Sequence, residues 1–244
     1  PSQHRVHHAI NPEYIDKNLS AIFCVWDRLF GTFQEELDEV PCVFGVLKPV
    51  QTWNPIHINF QHSWRIAKDA WRCSNWLDKL TIWFRPTGWR PKDVAEKYPI
   101  EVIDDVYSFD KYDLNPPFSL ILWSYMQLAV NGSLLLFLFF NIGEIAQNPL
   151  GLALYGFLIV IGIYGYTTIM DHRKYGVGIE CLRAAVAIAW IYSSGNWFGL
   201  HQYWSLGPVL VATYYGITLI GTFYFVSVVM NKALPNRILP SGNG

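Results

Sequence analysis

The chain has 244 residues, 52% of them hydrophobic and 16% aromatic, with 11 Trp. That balance, with a mean hydropathy of +0.18, is too apolar and too rich in rings for an ordinary soluble domain. A net charge of -1 leaves no excess to attract nucleic acid or an acidic partner, so no nucleic-acid partner is expected. Cys24, Cys42, Cys73 and Cys181 have neither paired nor CxxC spacing. This argues against a disulfide framework or zinc ribbon and for buried free thiols in a reducing compartment.

In chain order, the first feature is chemical. Pro1 is not an initiator Met, and no basic-then-apolar signal peptide follows it. A chain that opens inside a motif reads as the C-terminal part of a longer protein. His4, His7 and His8 stand at i, i+3 and i+4 and so share one helix face. Imidazole is a preferred ligand of iron, zinc and copper, and three of the chain's seven His fall within these five residues. Metal ligation is therefore favoured over a surface histidine cluster or a tag remnant, since Arg5-Val6 interrupts the run.

Residues 3–8 have helical potential that ends before Asn11-Pro12, because the residue preceding proline is pushed out of the helical region. An amphipathic helix follows from Ala21 through Trp26 to a stop at Gly31. In it Trp26 and Phe30 read as packing residues, and Asp27-Arg28 as an internal ion pair. Glu35, Glu36, Asp38 and Glu39 form a solvated acidic turn. Residues 62–80 place Trp64, Ala67, Trp71, Asn75 and Asp78 at helical spacing; with Trp76 and Trp83 this predicts an amphipathic helix lying in a membrane interface.

Beyond Pro117 the character changes. Crossing about 30 Å of hydrocarbon takes about 20 apolar residues as helix. Residues 118–140, 150–170 and 208–230 qualify. Residues 178–198 are a weaker candidate because Glu180 and Arg183 fall within the first two turns, where they could snorkel or pair with loop groups; a buried or interfacial helix is the alternative. Of 18 Lys and Arg, 13 precede the first span. The connection 141–149 has none, 171–178 has Arg173 and Lys174, 199–207 has none, and the tail has Lys232 and Arg237. The alternation predicts four spans, with the N-terminal zone, the Asp171 loop and the tail cytoplasmic.

The run Pro1-Ser2-Gln3-His4-Arg5-Val6-His7-His8-Ala9-Ile10-Asn11-Pro12-Glu13-Tyr14-Ile15-Asp16-Lys17-Asn18, with Trp26-Asp27-Arg28-Leu29-Phe30-Gly31-Thr32-Phe33 behind it, resembles the third histidine box of the fatty acid hydroxylase/sterol desaturase superfamily. Within that superfamily it looks most like the alkylglycerol monooxygenase branch and its bacterial relatives. The likeness continues through Phe44-Gly45, Pro49-Val50-Gln51-Thr52-Trp53-Asn54-Pro55, Phe60-Gln61-His62 and Gly88-Trp89-Arg90-Pro91, and then in the layout of the spans around Asp171-x-Arg173 and Glu180-x-Leu182-Arg183. Leu19-Ser20 departs from a usual Tyr-Gly, Leu47-Lys48 from Thr-His, and Gln61-His62 from a His pair.

The resemblance implies a membrane oxygenase with two iron ions in a non-haem di-iron centre, held by histidines in three boxes, the first two upstream of the third. His4, His7 and His8 would then be both its catalytic residues and its metal ligands in this chain. Asn11, Asp16, Asn18 and Asp27 are candidates to orient the imidazoles, with turn and capping chemistry the alternative for the two Asn. His62 could serve the metal, whereas His57, His172 and His201 read as isolated. Tyr14 and Trp53 could line a lipid entrance or simply pack.

The expected fold class is an all-α integral membrane protein. Residues 1–115 form the C-terminal part of a histidine-box domain, 116–232 a bundle of about four transmembrane helices, and 233–244 a flexible tail. The expected reaction is hydroxylation of a lipid C–H bond, or cleavage of an alkylglycerol ether. Its partners are a membrane lipid, dioxygen and an electron donor, either tetrahydrobiopterin or a cytochrome-type protein. The expected location is the endoplasmic reticulum in a eukaryote or the inner membrane in a bacterium, with the metal site facing the cytoplasm. The alternatives are a desaturase or another hydroxylase of the superfamily, or a non-catalytic membrane scaffold with a residual metal site.

Overall fold

The computed structural model describes residues 2–100 and 102–230. Expectations that rest on Pro1, or on the tail with Lys232 and Arg237, lie outside the described residues. Everything regular among them is helical: α1 (Ser2–His7), α2 (Cys24–Phe30), α3 (Pro55–Arg72), α4 (Trp76–Thr81), α5 (Lys92–Lys97), α6 (Phe118–Phe140), α7 (Ile142–Ile145), α8 (Pro149–Met170), α9 (Gly176–Ser194) and α10 (Gly207–Tyr224). Two compact units result, one within Pro1–Gln51 and Phe60–Asp113, the other within Thr52–Asn59 and Leu114–Gly244.

In the second unit, α6, α8, α9 and α10 (continued by a π-helical segment to Met230) are long and apolar enough to cross a membrane. The chain is an all-α protein of the multi-pass membrane type. Among these four helices, α8 starts on a side-chain cap. Asn148 accepts a hydrogen bond from the Gly151 amide at 3.0 Å, and Pro149 fills the first position of α8, where its missing N–H costs nothing. α8 packs against α6 and α9, and α9 against α10. Between them lie Leu134, Leu138, Tyr155, Leu158, Ile159, Ala184, Ala187 and Val211, while Phe118, Leu122, Phe139, Phe140, Leu150, Val160 and Ile220 face outward.

Lipid tails are as apolar as leucine, so burying leucine between these helices contributes little; close approach and polar contacts must hold them. Both are present. Gly162 and Gly165 leave room on α8 for charged side chains of α9: a Cβ on Gly162 would lie 2.6 Å from Arg183 Cζ, and one on Gly165 would overlap the Glu180 carboxylate. Arg183 donates to Glu180 Oε2 at 3.1 Å and to Asn131 Oδ1 and the Tyr214 hydroxyl at 3.0 Å each. Tyr214 donates on to Gln127, whose amide reaches Thr218 at 3.1 Å. Neither charge snorkels or meets a loop group, as the sequence allowed; both side chains are buried in the bundle.

The third span also ends earlier than expected. Gly195 turns left-handed at φ 69 and closes α9 at Ser194, so Trp197 and Phe198 leave the helix. Trp197 is fully buried instead, with its ring 5.5 Å from Tyr155 and 5.9 Å from Tyr215. Residues 52–59 join this unit through side chains. The Thr52 hydroxyl and the Trp53 amide donate to the Asp171 carboxylate, and Asn54 donates to the Tyr164 carbonyl and the Thr168 hydroxyl.

In the first unit short helices are tied by buried asparagines. The interfacial helix expected over residues 62–80 is two helices: α3 ends at Arg72, and Asn75 caps a new one by accepting from the Leu77 amide. Their rings nevertheless stay outside. Trp71 is 86% exposed and Trp64 and Trp76 are exposed too, as are Trp83 and Phe84 in the 3-10 turn Ile82–Phe84 that follows.

Candidate metal centre

α1 is one and a half turns long, and what anchors it is Val6, which is fully buried with Ala9, Tyr14, Val40 and Cys42. The strand-like residues after it pair with a distant loop: Ala9 bridges Phe44, and the Ile10 amide donates to the Val43 carbonyl at 2.9 Å. With Val6 inward, the opposite side of the turn carries the three histidines together.

Their ring centroids lie 4.6 Å apart for His4 and His8, 5.1 Å for His7 and His8, and 6.0 Å for His4 and His7. His4 Nε2 and His8 Nε2 are 3.1 Å apart. Two nitrogens each about 2.1 Å from one ion and at right angles to each other would be about 3.0 Å apart, so this edge suits a shared cation; otherwise one nitrogen must carry a proton for the other. Nδ1 of His4 and of His7 is buried and without a hydrogen-bond partner among the described residues. No group of three His, Cys, Asp or Glu arranged to enclose a metal ion occurs among the described residues. The donor chemistry fits part of an ion's shell, open on one side.

Three of the four residues expected to orient the imidazoles, Asn11, Asn18 and Asp27, do other work. Asn11 is buried and clamps the loop after it, accepting from the Val43 amide at 2.7 Å and donating to the Pro41 carbonyl and Tyr107 hydroxyl. Asn18, at φ 49, ties α1 to residue 34: its amide donates to the Gln3 and Gln34 carbonyls and its oxygen accepts from the Gln34 amide. Asp27 does not pair with Arg28. It takes the Ser20 and Thr32 hydroxyls, and Arg28 lies 4.4 Å over the Phe33 ring. Burial pushes the Asp27 carboxyl up, but those hydroxyls and the amides of Ser20 and Leu19 outweigh it and hold the group below the usual carboxylate range.

Trp26 and Phe30 stack on each other but are exposed, so they do not pack a core. Tyr14 is buried and satisfied, donating to the Val40 carbonyl at 2.6 Å and accepting from the Leu37 amide, which removes it from any lipid entrance. Of the acidic turn, Glu36 pairs with Arg5 at 2.8 Å.

An open groove of about 330 Å³ runs beside the histidines, lined by His4, Arg5, His8, Phe44 and Gly45. Phe44 is the part that spacing alone did not signal; the antiparallel bridge to Ala9 brings it there. His62 lines a different cavity. His57, His172 and His201 sit respectively in α3, at a loop residue with φ 55, and in a short 3-10 turn, Leu200–Gln202. The four cysteines are free, Cys73 buried and the others half-buried.

Known proteins support the resemblance. The chain is 38% identical to alkylglycerol monooxygenase of Homo sapiens over 91 residues, covering 37% of this chain and 20% of that protein. It is 36% identical over 102 residues to that of Xenopus tropicalis, covering 42% and 22%. It is 26% identical over 239 residues to that of Danio rerio, covering 92% and 48%. The chain therefore spans about half the length of the zebrafish relative and less of the other two. No family model and no solved structure matches it.

Proposed function

We propose that the chain supplies one histidine cluster and the membrane bundle of a lipid monooxygenase that oxidises the carbon beside an alkylglycerol ether oxygen. The observation that supports this reading is the convergence of His4, His7 and His8 on one side of α1, next to the apolar wall of Phe44. His4, His7 and His8 are the proposed metal ligands, and the remaining ligands come from outside these 244 residues. A bound di-iron centre would supply the activation of dioxygen.

The chain's own part is positional. Val6 and the Ala9–Phe44 bridge fix the turn that carries the imidazoles. Phe44 offers a hydrocarbon chain an apolar neighbour at the same groove. The chain also carries, among the described residues, four helices long and apolar enough to cross a bilayer, the medium in which such a substrate is dissolved. The overall reaction balances as R–CH2–O–R' + O2 + two electrons + two protons giving R–CH(OH)–O–R' + H2O. The hemiacetal then loses the alcohol and leaves an aldehyde. The electrons come from tetrahydrobiopterin or a cytochrome-type donor, at a membrane of the endoplasmic reticulum or, in a bacterium, the inner membrane, with the histidines on the cytoplasmic side.

The test is an assay of membranes carrying the complete protein with an alkylglycerol, dioxygen and each reductant in turn. Aldehyde formation that is lost in His7→Ala, with membrane insertion unchanged, is the expected result. Aldehyde formation retained in His7→Ala would overturn the ligand assignment. No turnover with any lipid would favour a scaffold with a residual site.

A further inference from the structure

The histidine groove leaves unused a second, more enclosed cavity of about 250 Å³ in the same unit, whose walls include Lys48, His62, Arg65, Arg85, Trp89 and Arg90. The sequence singled out three of its parts, the Leu47-Lys48 and Gln61-His62 departures and the Gly88-Trp89-Arg90-Pro91 element, and gave a candidate role only to His62, as a residue serving the metal. The cavity's floor is neutral. Asp69 is spent on Arg90, which grips it through Nε at 2.6 Å and Nη2 at 3.0 Å and donates its third arm to the Tyr98 carbonyl at 2.8 Å. The rim is a tight turn, closed by the Trp89 amide on the Pro86 carbonyl at 3.1 Å, with Gly88 at φ +89 in the position that only a residue without Cβ fills easily.

Three cations remain. Lys48, Arg65 and Arg85 line the cavity, and no described carboxylate forms an ion pair with any of them; Arg85 only rests 4.9 Å over the Trp89 ring. The other cations of α3 are used elsewhere, Lys68 over the Trp64 ring and Arg72 over the Tyr98 ring. Lys48 and Arg85 are exposed and Arg65 half-buried, so water screens them from one another, but an entering anion would meet three cationic donors together with His62 and the Thr87 hydroxyl. A carboxylate would answer one of them. A phosphate group, with up to two charges and three acceptor oxygens, answers the set, and guanidinium forks match its geometry.

We propose that this cavity binds a phosphate ester. The claim is independent of the oxidation proposed above and holds whether or not that reaction occurs. The source is either a lipid headgroup or a soluble phosphate ester, and the measurement separates the two. With the full chain in detergent micelles, binding of glycerol 3-phosphate is measured by calorimetry, and binding of phosphatidic acid against diacylglycerol by native mass spectrometry. Lys48→Gln and Arg65→Gln should each weaken binding by roughly tenfold, as the loss of one charged hydrogen-bond partner does. Lys111→Gln, at an exposed position outside the cavity, should leave it unchanged.

Binding of glycerol 3-phosphate supports a soluble ligand, and binding of phosphatidic acid alone supports a headgroup. Binding of neither, binding equal to that of diacylglycerol or of acetate, or binding indifferent to both substitutions in variants that keep full helical circular dichroism would overturn the proposal.

Discussion

Arg183 Nη1 lies 3.1 Å from Glu180 Oε2 one turn earlier on the same helix, and neither side chain is reached by solvent. The pair is the centre of a polar network that joins three membrane-type helices through Asn131, Gln127 and Tyr214. Removing one member of such a pair strands the other in a low-dielectric interior and costs about 3–5 kcal/mol. Glu180→Gln and Arg183→Met should each lower stability by that order in reversible micellar unfolding. The double variant should lose clearly less than the sum. Additive losses, each under about 1 kcal/mol, would show that the pair is not coupled.

The network exists because α8 has no side chains in its way. Gly162→Ala and Gly165→Ala leave α9's sequence intact but push a methyl group into Arg183 and Glu180 respectively. Overpacking of this kind costs about 1–3 kcal/mol, and because Glu180's carboxylate cannot retreat without leaving Arg183, the Gly165 variant should sit at the upper end. Gly216→Ala, where an added Cβ meets nothing within 4 Å, is the control and should unfold like the parent.

The spans were legible because twenty-residue apolar runs have few other readings. Their internal logic was not. Glu180 and Arg183 near a helix start fit snorkelling as well as burial, and what decides between them is a pair of glycines on another helix. The break after Arg72 was missed because helical spacing of Trp64, Trp71 and Asn75 continues across it; the signal was Asn75 itself, a residue suited to capping. The histidine cluster was readable from local spacing, whereas Phe44 reaches it only through a long-range bridge. Asn11 and Asn18 look alike as orienting or turn residues in sequence, and only their partners across the loops show that they are clamps.

Asn18 offers a direct check on that reading. It is fully buried and makes three bonds to main-chain groups of residues 3 and 34. Asn18→Ala strands those groups and should cost about 1–3 kcal/mol for those left without water. Because Gln3 begins the turn that carries the histidines, trypsin should cut at Arg5 and Lys17 sooner than in the parent. Asn18→Asp keeps the acceptor for the Gln34 amide but loses both donors, so its cleavage rate should fall between the two. Parent-like proteolysis of Asn18→Ala would show that α1 is held by Val6 alone.

Acid should loosen this region through Asp27. Its folded carboxyl titrates below the ordinary value, so the unfolded chain binds the proton more readily than the folded one. The stabilisation it gives is complete above the unfolded value of about 4 and is lost as pH falls through the lower folded value. Asp93, held low chiefly by the Ser74 amide, and Asp105, held low chiefly by the Ser108 hydroxyl, act in the same direction. Thermal unfolding should therefore be flat in pH from neutrality to about 4 as far as these groups are concerned, then decline. In Asp27→Asn the decline should be shallower and the neutral-pH stability lower, because an amide cannot accept the Ser20 and Thr32 hydroxyls as a carboxylate does. An Asp27→Asn profile that overlays the parent's would place the acid sensitivity elsewhere.

The 3.1 Å separation of His4 and His8 Nε2 makes the two histidines unequal to His7 in a way that metal content can reveal. If one cation is shared across that edge, His4→Ala and His8→Ala each remove one of a pair of ligands to the same ion, so the double variant should lose little more than either single. His7, whose ring stands 6.0 Å from His4 and 5.1 Å from His8, should add its own loss when combined with either. Iron per protein, measured on the complete protein by plasma emission, gives the answer without any need for turnover. The 244-residue chain alone should hold well under two irons, because its histidine cluster cannot close a shell around two ions. Two tightly bound irons in that chain, or additive losses for His4 and His8 with none for His7, would remove the shared-edge geometry from the proposed site.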